Sequence, residues 1–233
     1  MDLAELLALP GVKEECVLRS PVGFMALHGG SQDRGTHEIA SRAAEGSGAS
    51  YYAIVQPNGL RLHLPSKHHD PGDSERLRTF LDHVEVAISV HGFGRDSFEL
   101  AADPVRGLVI EPYGPAFRAN QTGPLRGIIL GGQNSDLLDV ARRLFHDRFD
   151  GYYVSDRLRL GFHAHNPVNL PSAQGVQIEI PPGLRGIGDL GERLVPDEDD
   201  VIVNETILAL VELASRAGQL HHGPGRRSRF AAG

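Results

Sequence analysis

The chain has 233 residues, enough for one large domain with a well-buried core, and a formal net charge of −7. The acidic balance argues against nucleic acid as the main partner, since phosphate binding needs a concentrated basic surface. No apolar run approaches the ~20 residues of a membrane helix. The single cysteine, Cys16, allows no intramolecular disulfide and suits a reducing, cytoplasmic setting.

The opening "DLAELLAL" reads as a short helix stopped by Pro10 and Gly11, not as a signal peptide, because it lacks a basic start and its apolar run is broken by acids. "VGFMALHGG" reads as a buried strand. Thr36 is the expected N-cap of a helix over "HEIASRAAEG" that ends at Gly46. "SYYAIVQP" is a strand rich in β-formers, and "RLHLPS" a second, short one. Asp73 or Ser74 starts the helix "ERLRTFLDHV", and "VEVAISVHGFG" is a strand with no internal breaker. "RGLVIEP" and "RGIILGG" are further strands, each ending at turn residues. Ser135 is the expected cap of the helix "DLLDVARRLFHDR", and "QGVQIEIPP" is a strand stopped by two prolines. The longest helical pattern is "DEDDVIVNETILALVELASRAG", apolar at Ile202, Leu208 and Val211.

Strands alternating with helices predict a single-domain α/β fold over residues 1–220, with a mixed, mainly parallel central sheet flanked by helices. Residues 221–233, with the basic cluster "GRRSRF", read as a flexible tail.

In such sheets ligands gather at the carboxyl ends of strands. Two strands here end in the same dipeptide, His28-Gly29 and His91-Gly92, and Asp33 follows the first within one glycine-rich loop. Two imidazoles and a carboxylate delivered to one sheet edge make a zinc site with an open position. The alternative is that both histidines are ordinary strand-end residues bonded to backbone. Glu179 lies in a strand among Val176, Ile178 and Ile180, sharing a face with Gln177 by alternation. An ionisable group there is either a general base beside the metal or a solvent-facing residue of an edge strand. His68 and His69 sit in a polar loop, either lining the site or simply solvated. "GIGDLG" matches a phosphate-loop pattern, but an acidic run follows it instead of a helix start. No G-x-S-x-G elbow accompanies the esterase-like "HGG", which argues against a serine hydrolase.

Five segments in order, "ALHGG…GTHEIA", "YYAIVQ…LHLPS", "ISVHGFG", "IILGGQN" and "NPVNL…GVQIEI…GLR", resemble the poly-γ-glutamate hydrolase family. The resemblance covers roughly residues 20–215. It implies a carboxypeptidase A-like fold and a phage-associated zinc peptidase activity on an amide bond. It places the metal ligands at His28, Asp33 and His91 and the catalytic glutamate at Glu179. Asp33 replaces the family's usual glutamate, and Leu170 follows Asn169 where the family often has arginine, a residue that would hold a substrate carboxylate. Asn169 is then a substrate-binding candidate, and Arg185 or Arg95 is either the replacement cation or an ordinary surface arginine. The implied partner is a small-molecule or peptide-like substrate, polyanionic if it follows the family, with no nucleic acid and no membrane. The rival reading is a non-catalytic ligand-binding protein on a degenerate hydrolase scaffold, and nothing in the sequence fixes the oligomeric state.

Overall fold

The computed structural model describes residues 1–93, 127–156, 160–188 and 201–222. Seven strands form one sheet: β1 Lys13–Val17, β2 Val22–Gly30, β3 Ser50–Gln56, β4 Val86–Gly92, β5 Gly127–Gly132, β6 Tyr153–Ser155 and β7 Gly175–Ile180. Their order is β1-β3-β2-β4-β7-β5-β6. The central pairs β3–β2, β2–β4 and β4–β7 are parallel, as is β5–β6, while β1–β3 and β7–β5 are antiparallel. The sheet is therefore mixed and mainly parallel, as expected.

The described helices are α1 Leu3–Leu7, α2 Thr36–Ser47, α3 Glu75–His83, α4 Ser135–Arg148 and α5 Val201–His222. Strand alternation sends Phe24, Ile88, Val90 and Ile178 to one face, against Ile39, Leu137, Phe145 and Leu213 of α2, α4 and α5. Met25, Leu27 and Ile54 point to the other, against Leu3 and Leu6 of α1 and Leu77 and Phe80 of α3. Both faces are covered, which is why the central strands are apolar throughout.

Several local expectations need correction. "RLHLPS" is not a strand, because the Gln56 side chain takes over the pairing: its Nε2 donates to the Leu62 carbonyl at 2.7 Å and its Oε1 accepts the Leu62 N–H at 2.9 Å. The α2 N-cap position is Gly35, with no side-chain cap, and the helix ends at Gly48 instead of Gly46; Thr36 is already helical and donates to the Asp33 carbonyl at 2.6 Å. The cap of α4 is Asn134, whose side chain accepts the Leu137 N–H. On α5 Leu208 is 51% exposed, and the packed stripe is Ile207, Leu210, Leu213, Ala214 and Ala217. The helix continues through His222, past the start expected for the tail. "RGLVIEP", Arg95 and "GRRSRF" lie outside the described residues. No described helix is long and apolar enough to cross a membrane.

Candidate metal centre

β2 and β4 are neighbouring parallel strands, so they deliver His28 and His91 to the same edge of the sheet. Strict alternation would send His28 to the face of Phe24 and Ala26. The β2–β3 register shifts between Ala26 and Gly29, and this irregularity turns His28 towards His91. Gly30 completes the turn at φ 76°, where a Cβ would stand 2.1 Å from the Gln56 carbonyl oxygen. The loop then folds back, with the Asp33 N–H donating to the His28 carbonyl at 2.8 Å.

Three donor atoms meet there. His28 Nδ1 lies 3.2 Å from His91 Nδ1 and 3.4 Å from Asp33 Oδ2, and His91 Nδ1 lies 3.8 Å from Asp33 Oδ2. All three residues are buried, and together they could hold a metal ion. A tetrahedral cation with bonds of about 2.0–2.1 Å separates its ligand atoms by about 3.3 Å, so this triangle has a fitting size. The outer nitrogens are occupied in the manner of metal-bound imidazoles: His28 Nε2 meets the Leu64 carbonyl at 2.9 Å, and His91 Nε2 meets Ser89 Oγ at 2.9 Å. The Gly92 N–H donates to Asp33 Oδ2 at 3.2 Å, orienting the carboxylate.

The charges support the same use. Burial disfavours a charged His28, but the hydrogen bond and charge of Asp33 outweigh it and raise its pKa. Burial likewise works against the Asp33 carboxylate, and His28, His91 and Arg185 overcome it to hold the pKa below its ordinary value. His91, pulled down to about 3 by burial and the neighbouring His28, is neutral and keeps a lone pair. In the metal-free centre the Asp33 carboxylate thus favours the protonated form of His28, which faces a neutral His91 imidazole. A cation placed within the triangle substitutes for that proton.

Glu179 stands opposite His91 across the β4–β7 ladder. Burial and the Asp33 charge push its carboxyl up to about 7, against the lowering influence of Gln177, His28 and Arg185. Gln177 Nε2 donates to Glu179 Oε1 at 2.8 Å, while its Oε1 accepts from Asn166 Nδ2 at 3.0 Å. The alternation that paired Gln177 with Glu179 in sequence is therefore a direct contact.

Asn169 is buried against its own surroundings: Nδ2 donates to the Gly161 and His163 carbonyls, and Oδ1 accepts the Gln133 N–H. Arg185 is buried, with all three guanidinium nitrogens donating to carbonyls. His68 is exposed, whereas His69 is fully buried with its ring 5.7 Å from that of His28. His69 Nε2 has no hydrogen-bond partner among the described residues. The sequence reading passed over His63, whose ring lies edge-on to His28 at 4.9 Å, and Ser89. Ser89 was recoverable, since alternation places it on the face of His91; His63 arrives by a loop with no periodic signal.

Residues 7–102 match the family model described as poly-gamma-glutamate hydrolase, a span containing His28, Asp33 and His91. No curated protein matches the chain. The fold is similar to that of a bacteriophage poly-gamma-glutamate hydrolase, with a TM-score of 0.65 at 20% identity over 93% of this chain and 95% of that one. It is also similar to YNDL in a zinc-free apo form, with a TM-score of 0.61 at 20% identity over 91% of each chain. An N-formylglutamate amidohydrolase from Ralstonia eutropha JMP134 shares the fold at a TM-score of 0.53 and 13% identity, over 90% of this chain and 100% of that one. The family resemblance carried by the sequence motifs is thus borne out by the family model, and the fold by the solved structures.

Proposed function

We propose that this chain, a relative of the poly-γ-glutamate hydrolases, is a zinc-dependent hydrolase of an amide bond in a γ-glutamyl, peptide or N-acyl amino acid substrate. The observation that carries the reading is the buried triangle of His28 Nδ1, Asp33 Oδ2 and His91 Nδ1 beside Glu179. Two imidazoles and one carboxylate are the donor set of a catalytic zinc that keeps an open position. When bound there, zinc supplies Lewis-acid chemistry, polarising a carbonyl and acidifying water. Glu179 takes a proton at its carboxylate during attack and returns it to the leaving nitrogen. In the metal-free protein that carboxyl sits at about 7, and the charge of a bound cation would favour its carboxylate, the form that accepts the proton. Gln177 fixes the orientation of the carboxylate.

Leu170 and Phe162 are 41% and 38% exposed on the loop that Asn166 and Asn169 tie to β7 and Gln133. Leucine at 170, where the family often has arginine, removes a cation that would hold a substrate carboxylate and so favours an N-acyl or apolar amide over a polyanion. The single cysteine suits a cytoplasmic site of action.

Metal analysis of protein purified without chelator tests the centre. The wild type is expected to carry stoichiometric zinc, and the His28→Ala/His91→Ala double variant none; zinc retained by that variant overturns the assignment. Glu179→Gln is expected to keep zinc while turnover of a responsive amide falls by about 10²- to 10⁴-fold. Amine release from γ-glutamyl, α-peptide and N-acyl amino acid substrates separates the substrate classes. Zinc-loaded protein inactive on all three favours a ligand-binding protein on a hydrolase scaffold, which the shorter acid at Asp33 and the leucine at 170 also suit.

A further inference from the structure

Arg185 lies in the turn Pro182–Arg185, just after β7, and is 9% exposed. Its Nε donates to the Ile180 carbonyl at 3.1 Å, Nη1 to the Arg34 carbonyl at 2.6 Å, and Nη2 to the Phe93 carbonyl at 2.6 Å. Each acceptor lies one or two residues beyond a member of the site: Arg34 follows Asp33, Phe93 follows His91 and Gly92, and Ile180 follows Glu179. The turn is itself anchored, since Thr206 of α5 donates to the Leu184 carbonyl at 3.0 Å. A Cβ on Gly92 would stand 2.6 Å from Arg185 Cζ and Nη1, so the guanidinium packs directly on the backbone after His91.

We propose that Arg185 is the positioning residue of the metal centre: one buried guanidinium ties together the three separate segments that carry Asp33, His91 and Glu179. The inference rests on the zinc reading above. A planar fork with donors in three directions is what this junction requires, and the point-like ammonium of lysine cannot satisfy three diverging carbonyls. The charges of Asp33 and Glu179 offset part of the cost of burying its positive charge. The side chain acts through the ligands and the base, with its nitrogens directed at backbone and not at substrate.

The zinc dissociation constant at fixed pH, measured on the full chain by competition with a chromogenic chelator, tests this. Arg185→Met is expected to weaken zinc by about 10- to 100-fold, the range for residues that orient ligands. Arg185→Lys falls between Arg185→Met and wild type. Gly92→Ala keeps the arginine but displaces its head group, so it is expected to weaken zinc by about 10-fold or more. Since Gly92 also donates to Asp33, Arg185→Lys decides the matter if Arg185→Met does not fold. Phe145→Leu, in the core between α4 and the sheet, is expected to lower thermal stability with no change in zinc affinity. The cobalt-substituted protein adds a spectroscopic check, with the visible bands altered in Arg185→Met and Gly92→Ala only. Zinc binding within twofold of wild type in the folded arginine and glycine variants overturns the proposal. A wild type that binds no zinc overturns the metal reading first and this inference with it.

Discussion

At the scale of single residues, the proposed metal centre sets a proton against a cation. In the metal-free protein His28 has a raised pKa because Asp33 outweighs burial, and Glu179 sits near 7 because burial and Asp33 oppose its charge. At pH 6 both therefore hold protons that zinc must displace, directly at His28 and through its charge at Glu179. Zinc affinity is expected to rise as pH climbs through about 7, with protons released on binding. Calorimetry in buffers of different ionisation enthalpy reads that release; an affinity independent of pH sinks the assignment of these groups. On metal-free stability the two raised groups act in one direction and the lowered Asp33 in the other. Glu179, raised above its unfolded value, contributes less as pH climbs from about 4.5 to about 7. His28 contributes fully below its unfolded value and loses that contribution as pH rises through its raised folded value. Asp33, held low, contributes above its unfolded value and loses that as pH falls through its depressed one.

At the scale of elements, what was legible in sequence depended on whether the signal was local. β2 emerges with its expected bounds, because a run from Val22 ending in paired glycines carries both its burial and its turn. Those same glycines mark His28 as a strand-end residue, and the matching pair at His91 and Gly92 marks the second candidate ligand. β1, "KEECV", escaped the pattern because an edge strand carries charge: Glu14 accepts from Tyr52 at 2.7 Å and Glu15 from Tyr51 at 3.2 Å. β6 is only three residues long. Arg185 and its acceptors at Arg34 and Phe93 are far apart in sequence, so no window could join them. Caps were misplaced by one residue where two polar residues adjoin, as at Asn134 and Ser135. Asn134 is worth more than a cap: its Oδ1 accepts the Leu137 N–H at 3.0 Å and its Nδ2 donates to the Ala173 carbonyl at 2.9 Å. Asn134→Ala removes both and is expected to cost about 1–2 kcal/mol in urea unfolding. Ser135→Ala, at the position first read as the cap, is expected to cost less than about 0.5 kcal/mol. Equal losses in the two variants contradict the assignment.

At the scale of the molecule, the site draws on both halves of the chain through one strand arrangement. β2 and β4 bring the ligands, and β7, although it follows β5 and β6 in sequence, inserts beside β4 in the sheet. That crossover places Glu179 next to His91 and sends the chain directly into the turn of Arg185. The carboxyl ends of three adjacent parallel strands are thereby joined, the place where such sheets collect ligands. A cation bound there contacts β2, its following loop and β4 at once, and the unfolded chain offers no such preformed triangle. On the zinc reading proposed above, zinc is expected to stabilise the fold by mass action, by about 2.7 kcal/mol at a free concentration a hundredfold above its dissociation constant. For a chain of this size that corresponds to a rise of about 5–10 °C in Tm. Differential scanning calorimetry with buffered zinc, then with excess chelator, reads the rise and its reversal. His91→Ala, which removes one corner of the triangle, is expected to show little of either. A wild-type Tm indifferent to zinc, in protein whose far-ultraviolet spectrum is native, rules out a metal centre that spans these strands.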